Sequence, residues 1–108
     1  MGPENERTKY SQIAEFIATK EGQDRLITEI GCHLAETAYP GYGETPTTLD
    51  ADAYDNAEEL EGNLCAAKDI EDLKRLCREY KLKQLIFPDP DTILILEKMA
   101  YDRFQKEE

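Results

Sequence analysis

Apolar residues recur every third or fourth position along much of this chain, a spacing typical of helices rather than strands. The clearest stripe consists of Leu26, Ile30, Leu34 and Ala38, and it ends at Tyr39-Pro40. Because residues at this spacing share one face of an α-helix, the stripe predicts a helix with one buried side. The spacing therefore predicts a mainly α fold, a small helical bundle of four or five short helices.

Three further helices are predicted from spacing and caps. The first covers about residues 6–20 and ends before Glu21-Gly22. Its apolar positions are Tyr10, Ile13, Phe16 and Ile17. Thr48 is predicted to cap the third helix, and Asp69, with Asp72 three residues on, is predicted to cap the fourth. The inward positions of the third helix are Leu49, Ala53, Ala57, Leu60 and Leu64.

The C-terminal third has two interpretations. Leu82–Phe87 and Thr92–Leu96 would form a short β-hairpin near residues 82–96, joined across a Pro-Asp turn. Alternatively, Asp91 caps a helix that runs to about Gln105. We favour the helix, because good helix formers follow at residues 97–100 and because a short isolated hairpin is marginally stable.

The length of 108 residues is that of one small domain, residues 1–108. Residues 1–6 have neither an apolar core nor a basic flank, so they predict no signal peptide and no membrane helix. Cys32, Cys65 and Cys77 are an odd number without close pairing. We interpret them as reduced, buried side chains of a cytoplasmic protein rather than as reactive or bridging groups.

Negative charge is concentrated in one part of the chain. Residues 26–67 contain no Lys or Arg in forty-two positions, yet they carry nine of the 24 acids. Outside this window 15 acids face 13 bases, so the window accounts for most of the net charge of -11. Nucleic acid and anionic membranes would repel such a chain, and we expect neither as a direct partner. The expected partner is a basic protein surface.

The sequence contains no recognisable catalytic motif, and we predict no enzymatic activity, cofactor or metal. His33 beside Cys32 resembles half of a zinc site, but no second pair of ligands follows at a suitable spacing. The stretch from Asp50 to Glu61 has acids at several positions of a calcium loop, but Asp55 replaces the glycine that the loop requires. Its apolar spacing indicates a helix instead.

The acids of the third helix are unusually dense. Asp50 to Glu61 would place six carboxylates along about 16 Å of helix, near one per 3 Å. One strand of duplex DNA carries a phosphate about every 3.4 Å along its axis, so the linear charge is comparable. A solvated helix face would usually include Lys four residues after Glu, and none occurs here. The pattern therefore favours a surface for an electropositive partner over a merely solvated face.

Two segments resemble the Ocr family of phage antirestriction proteins. The first, Cys32–Tyr42, is a helix end of small residues followed by a Pro-x-Tyr turn. The second, Phe87–Tyr101, is a Pro-Asp turn that leads into a late helix. Together the two segments cover about a quarter of the chain.

The resemblance implies an acidic helical protein, with a homodimer as one arrangement, whose carboxylates replace the phosphates of DNA. Such a protein would be encoded by a phage or mobile element and would act in the host cytoplasm. It would occupy the DNA groove of a nucleic-acid-binding defence complex of the restriction or CRISPR type. The residues assigned to this mimic face are Asp50, Asp52, Asp55, Glu58, Glu59 and Glu61, with Glu36 and Glu44 at its edge.

Two other functions fit a small acidic helical protein. One is an immunity protein or antitoxin that neutralises a basic toxin, with Tyr39, Tyr42 and Tyr54 as aromatic anchors beside the acids. The other is an adaptor subunit of a larger assembly, for which the mixed-charge helix Asp69–Lys81 would provide the contact. A DNA mimic differs from both in that nucleic acid should displace it from its partner.

Overall fold

A computed structural model describes residues 3–80 and 85–107, and within them the side chains from residue 9 onward. The described residues form five helices: α1 (Pro3–Ile17), α2 (Lys20–Ala38), α3 (Ala51–Cys65), α4 (Ile70–Glu79) and α5 (Pro90–Glu107). Strands are absent from the described ranges. The prediction of a mainly α bundle is confirmed, with five helices.

Helix α2 is the centre of the bundle, and each of the other four helices packs against it. The predicted stripe on α2 is confirmed, because Leu26, Ile30 and Leu34 are buried and Ala38 is half-buried. The largest fully buried side chains are Ile27, Ile30, Leu60, Leu64 and Leu73. These side chains come from α2, α3 and α4, so one continuous core joins these three helices.

The boundary between α1 and α2 lies earlier than the sequence predicted. Helix α1 ends at Ile17, and Thr19 is the N-cap of α2, its hydroxyl oxygen accepting the Gly22 N–H at 2.9 Å. Glu21-Gly22 therefore lies in the first turn of α2 rather than between two helices. The prediction was wrong because Gly was interpreted as a stop, whereas here it permits a close helix contact. A Cβ at position 22 would collide with the backbone of Phe16.

The predicted cap of α3 lies two residues later in the structure, because a nearby Asp competes for the same position. Asp50, not Thr48, is the N-cap of α3, and it accepts the Ala53 N–H at 2.8 Å. Of its predicted inward positions, Ala57, Leu60 and Leu64 are buried and Ala53 is half-buried, whereas Leu49 packs against the core from the loop before the helix. At α4 the predicted cap Asp69 is confirmed, and it accepts the Asp72 N–H at 2.8 Å. The Asp72 carboxylate in turn accepts the Lys68 N–H, and this bond lowers its pKa.

The C-terminal segment is helix α5, so the favoured interpretation is confirmed and a strand at residues 92–96 is wrong. Its cap is Asp89 rather than the predicted Asp91: the Asp89 carboxylate accepts the Thr92 N–H at 2.8 Å. Pro90 then occupies the first helical position, where the missing N–H is tolerated. Residues 82–84 of the other predicted strand lie outside the described ranges, and residues 85–87 are not in a strand.

Helix α1 packs on α2 and α5 through only part of its predicted apolar face. Ile13 and Phe16 are buried, and the Phe16 ring lies 4.7 Å from that of Phe104 and 5.7 Å from that of Tyr101. Tyr10 is 67% exposed, so its predicted place on the buried face is wrong. Helical spacing assigned Tyr10 to the same side as Ile13, but no neighbouring helix covers its ring.

Candidate functional site

The predicted acidic face exists on the outer side of α3. Asp50, Asp52, Asp55, Glu58 and Glu59 are all exposed, whereas Ala57, Leu60 and Leu64 on the opposite side are buried. At 100° per residue, Asp52, Asp55, Glu58 and Glu59 fall within an arc of about 120°. From Asp50 to Glu59 the helix rises by about 13 Å, which is near one carboxylate per 3 Å. The spacing expected from the sequence is therefore available to a partner from solvent.

These carboxylates have no cationic partners among the described side chains. None of the eight acids predicted for the mimic face forms an ion pair with a described Lys or Arg. Some bases elsewhere are paired within their own helix: Arg75 contacts Asp72 and Glu79 on α4, and Lys20 contacts Asp24 on α2. The charge of the α3 face is thus left for solvent or for a partner.

The other three predicted residues occupy the border of this face. Glu61 is half-buried and points toward the seam between α2 and α3, where its charge acts on Cys32. Glu36 is exposed on α2, and its Oε1 lies 2.5 Å from where a Cβ at Gly43 would be. Glu44 is exposed in the same loop. The set therefore divides into five carboxylates on one outer face and three around the loop that precedes α3.

The loop before α3 connects these two groups. Tyr42 is half-buried, and its ring lies 5.3 Å from that of Tyr54 on α3. Burial, together with the neighbouring charges of Glu61 and Glu58, raises the pKa of Tyr42. The Tyr42 and Tyr54 rings thus pack against each other, while Tyr39 is buried in the core. All three tyrosine rings are therefore less exposed to a toxin than their proposed role as aromatic anchors requires.

Glu29 belongs to the acidic window but not to the acidic face. It is only 6% exposed, and its Oε1 is 3.1 Å from Nε of Arg103 on α5. Burial raises the pKa of Glu29, and the charge of Arg103 opposes that effect. Close by, Arg25 pairs with Glu21 and with Glu107. The Glu29–Arg103 and Arg25–Glu107 pairs connect the end of α5 to α2, a structural role that spacing along the sequence did not reveal.

A cleft of about 460 Å³ opens on another side of the molecule, between α2, α4 and the start of α5. Its walls are mostly apolar, including Leu26, Ile30 and Phe87. Lys74 and Glu97 supply charged groups, and burial raises the pKa of Glu97. Neither group is hydrogen-bonded to a described Ser, Thr, Cys or Tyr side chain. Among the described residues, the cleft therefore contains no nucleophilic side chain hydrogen-bonded to a general base.

Repulsion between the carboxylates of the acidic face should lower the free energy of unfolding of the protein. Asp55 has Asp52 three residues before it, and Glu58 and Glu59 three and four residues after it. We expect Asp55→Lys to raise the free energy of unfolding by about 0.5–1 kcal/mol, because it turns repulsive neighbours into attractive ones. Urea denaturation followed by circular dichroism would measure the change. Asp55→Asn should give about half the gain, and a loss of stability in both variants would contradict like-charge repulsion on this face.

No protein-family model, curated protein or solved structure matches this chain. Within the described residues, no group of three or more His, Cys, Asp or Glu side chains is arranged to hold a metal ion. None of the helices in those ranges is both long and apolar enough to cross a membrane.

Proposed function

We propose that this chain is a small acidic protein inhibitor, encoded by a phage or mobile element, that mimics DNA phosphates. It blocks a nucleic-acid-binding host defence complex of the restriction or CRISPR type in the host cytoplasm. The observation that carries the proposal is the row of five exposed carboxylates on α3 that lack an ion-pair partner among the described side chains.

The mechanism follows from the spacing and rigidity of that row. Each carboxylate takes the place of a phosphate against Lys or Arg in the groove of the partner. The helix holds the charges at fixed positions because Leu60 and Leu64 anchor its inner side in the core. A rigid array loses little conformational entropy on binding, which favours affinity. The acids around the loop, Glu36 and Glu44, extend the negative surface beyond the helix.

Electrostatic binding of this kind has two measurable properties. Because the contacts are between exposed charges, affinity should fall steeply as salt rises. Because carboxylates and phosphates would use the same basic groove, duplex DNA should compete for the partner. Together these properties separate a DNA mimic from a protein that binds a basic surface outside the DNA site.

The testing experiment is capture from a bacterial lysate at low salt with three tagged proteins. The first is wild type, and the second carries Asp52→Lys, Asp55→Lys and Glu59→Lys. The third is a matched control with the same change in net charge placed on α1, α2 and α5. Its substitutions are Glu15→Lys, Asp24→Lys and Asp91→Lys, all at exposed positions.

We expect wild type and the matched control to retain a DNA-binding complex that mass spectrometry identifies and that duplex DNA releases. The α3 variant should lose at least about two orders of magnitude in affinity, since three contacts become repulsive. Capture of the same complex by the α3 variant would contradict the proposal. So would a complex that salt releases but that excess duplex DNA leaves bound.

An adaptor function is the second candidate, and a different surface favours it. Leu94 and Ile95 are 58% and 60% exposed on α5, and Met99 beside them is 37% exposed. Exposed apolar side chains grouped on one helix are typical of a protein-binding surface. The contact predicted on the fourth helix is less suited, because Arg75 is paired with Asp72 and Glu79 within that helix. Loss of a captured partner on Ile95→Asp, with the α3 variant still binding, would favour the adaptor.

A further inference from the structure

Cys32 and Cys65 meet across the seam between α2 and α3. The Cys65 Sγ lies 3.8 Å from the carbonyl oxygen of Thr28. In an α-helix the carbonyl of residue 28 accepts the N–H of residue 32, so this sulfur reaches α2 beside the backbone of Cys32. The two thiols are close enough for each to shift the pKa of the other. Residues 33 positions apart in the chain are thereby brought into side-chain contact.

The close approach of Cys65 to α2 depends on Gly31, which faces α3. A Cβ at Gly31 would lie only 2.8 Å from the Cys65 Sγ. Because glycine has no side chain, α3 can place its C-terminal residue, Cys65, directly against α2. The third cysteine, Cys77, is on α4 and takes no part in this contact.

Cys32 and Cys65 are also more accessible than the sequence suggested. Both are half-buried, whereas Cys77 is only 4% exposed. The prediction that the cysteines are buried is therefore confirmed for Cys77 and wrong for Cys32 and Cys65. Reagents from solvent can therefore approach both thiols of the pair.

The contact between the two thiols makes them unequal. Interaction with Cys32 lowers the pKa of Cys65, against burial and the charges of Glu61 and Glu29. The same interaction, with burial and Glu61, raises the pKa of Cys32. Of the two sulfurs, Cys65 is therefore the one whose ionisation the contact favours. This division suits a first attack by Cys65 and a second by Cys32.

We propose that Cys32 and Cys65 are a redox-active pair that a low-molecular-weight disulfide such as oxidised glutathione converts into a disulfide between α2 and α3. The Cys65 thiolate attacks one glutathione sulfur, forms a mixed disulfide and releases one reduced glutathione. Cys32 then loses its proton and attacks the Cys65 sulfur, forming the protein disulfide and releasing a second reduced glutathione. Two protein thiols are oxidised, and one glutathione disulfide is reduced to two thiols.

The bridge would join the C-terminal end of the acidic helix covalently to the central helix. It would close a loop of residues 32–65, which contains all of α3. Closing a loop of this length restricts the unfolded chain, so the midpoint temperature Tm should rise by on the order of 10 °C. The inference does not rest on the proposed DNA mimicry, because it concerns the thiols alone.

The experiment incubates the full chain with mixtures of reduced and oxidised glutathione under native conditions, followed by alkylation and mass spectrometry. Wild type should become lighter by two hydrogen atoms without a glutathione adduct, and peptide mapping should join Cys32 to Cys65. Cys77→Ala should behave like wild type. Cys32→Ser should instead accumulate one glutathione at Cys65, because the second attack has no nucleophile. Thermal denaturation should show the Tm increase in oxidised wild type and its reversal by dithiothreitol.

Three results would overturn the proposal. One is wild type that keeps both thiols, or that accumulates glutathione adducts without a bridge. Another is a bridge that forms no faster in folded protein than in urea, since proximity in the fold would then contribute nothing. The last is Cys32→Ser that takes up no glutathione at Cys65 while its circular dichroism spectrum remains that of wild type.

Discussion

Adding one methyl group at Gly22 should destabilise the protein by about 3 kcal/mol, near the upper end of the usual effect of overpacking. The Cβ of Gly22→Ala would fall on the carbonyl oxygen of Phe16 and lie 2.5 Å from its carbonyl carbon. Both are backbone atoms that a change of side-chain rotamer cannot move. The end of α1 would therefore have to move away from the first turn of α2. Denaturation in urea, followed by circular dichroism, would measure the loss.

Gly62→Ala is the matched control for this prediction. Gly62 also lies within a helix, but nothing is within 4 Å of where its Cβ would be. Alanine favours helix over glycine by about 1 kcal/mol, so Gly62→Ala should stabilise the protein by about that amount. The same substitution should thus have opposite signs at the two sites. A Gly22→Ala protein as stable as Gly62→Ala would mean that α1 and α2 do not approach as closely as described.

Leu60→Ala should reduce the free energy of unfolding by about 2–5 kcal/mol. Leu60 is fully buried on the inner side of α3, in the core that joins α3 to α2. Truncation removes apolar contact and leaves a cavity that close-packed neighbours fill only partly. Since small domains are stable by only about 5–15 kcal/mol, the variant should unfold at markedly lower urea concentration. Equilibrium denaturation compared with wild type would measure the shift of the midpoint.

The neighbouring residue provides a control on the opposite side of the same helix. Glu59 is exposed, and Glu59→Gln should change stability by no more than about 0.5 kcal/mol. If Glu59→Gln destabilised the protein as much as Leu60→Ala, the assignment of inner and outer sides of α3 would be wrong. The pair therefore separates the surface that holds the helix in place from the surface that the proposed partner would contact.

The acidic face of α3 and the buried side of the same helix contribute to the stability of the folded protein with opposite signs. Like charges at i+3 and i+4 along α3 disfavour the helix by a few tenths of a kcal/mol per pair. Burial of Leu60 and Leu64 outweighs this repulsion, because each buried leucine contributes about 1.5–3 kcal/mol. A helix held by its inner side can carry a charged array on its outer side, as phosphate mimicry requires.

Most helices were predicted because their apolar spacing is long and regular. The stripe on α2 and the inward positions of α3 are examples, and both face the core as expected. Helix boundaries were predicted less well, since several polar residues compete to cap each helix. Asp50 displaced Thr48, and Asp89 displaced Asp91. At α5 the order Asp89-Pro90 was itself a usable signal, because Pro is favoured directly after an N-cap.

Contacts between distant segments explain what local patterns missed. Glu29 and Arg103, like Cys32 and Cys65, are far apart in sequence, and only the packing of α5 and α3 on α2 brings them together. Tyr10 has helical spacing like its neighbours, yet it is exposed because none of the described helices packs over it.

Helix periodicity and the run without bases are properties of neighbouring residues, so the order of amino acids alone was sufficient to predict the α bundle and its dense acidic helix. Which acids face solvent depends on how the helices pack. Asp52 and Glu59 are exposed, whereas Glu29 is buried against Arg103 and Glu61 faces the seam beside Cys32. Burial and pairing are long-range properties, because they are created only when helices distant in sequence bury their apolar sides together.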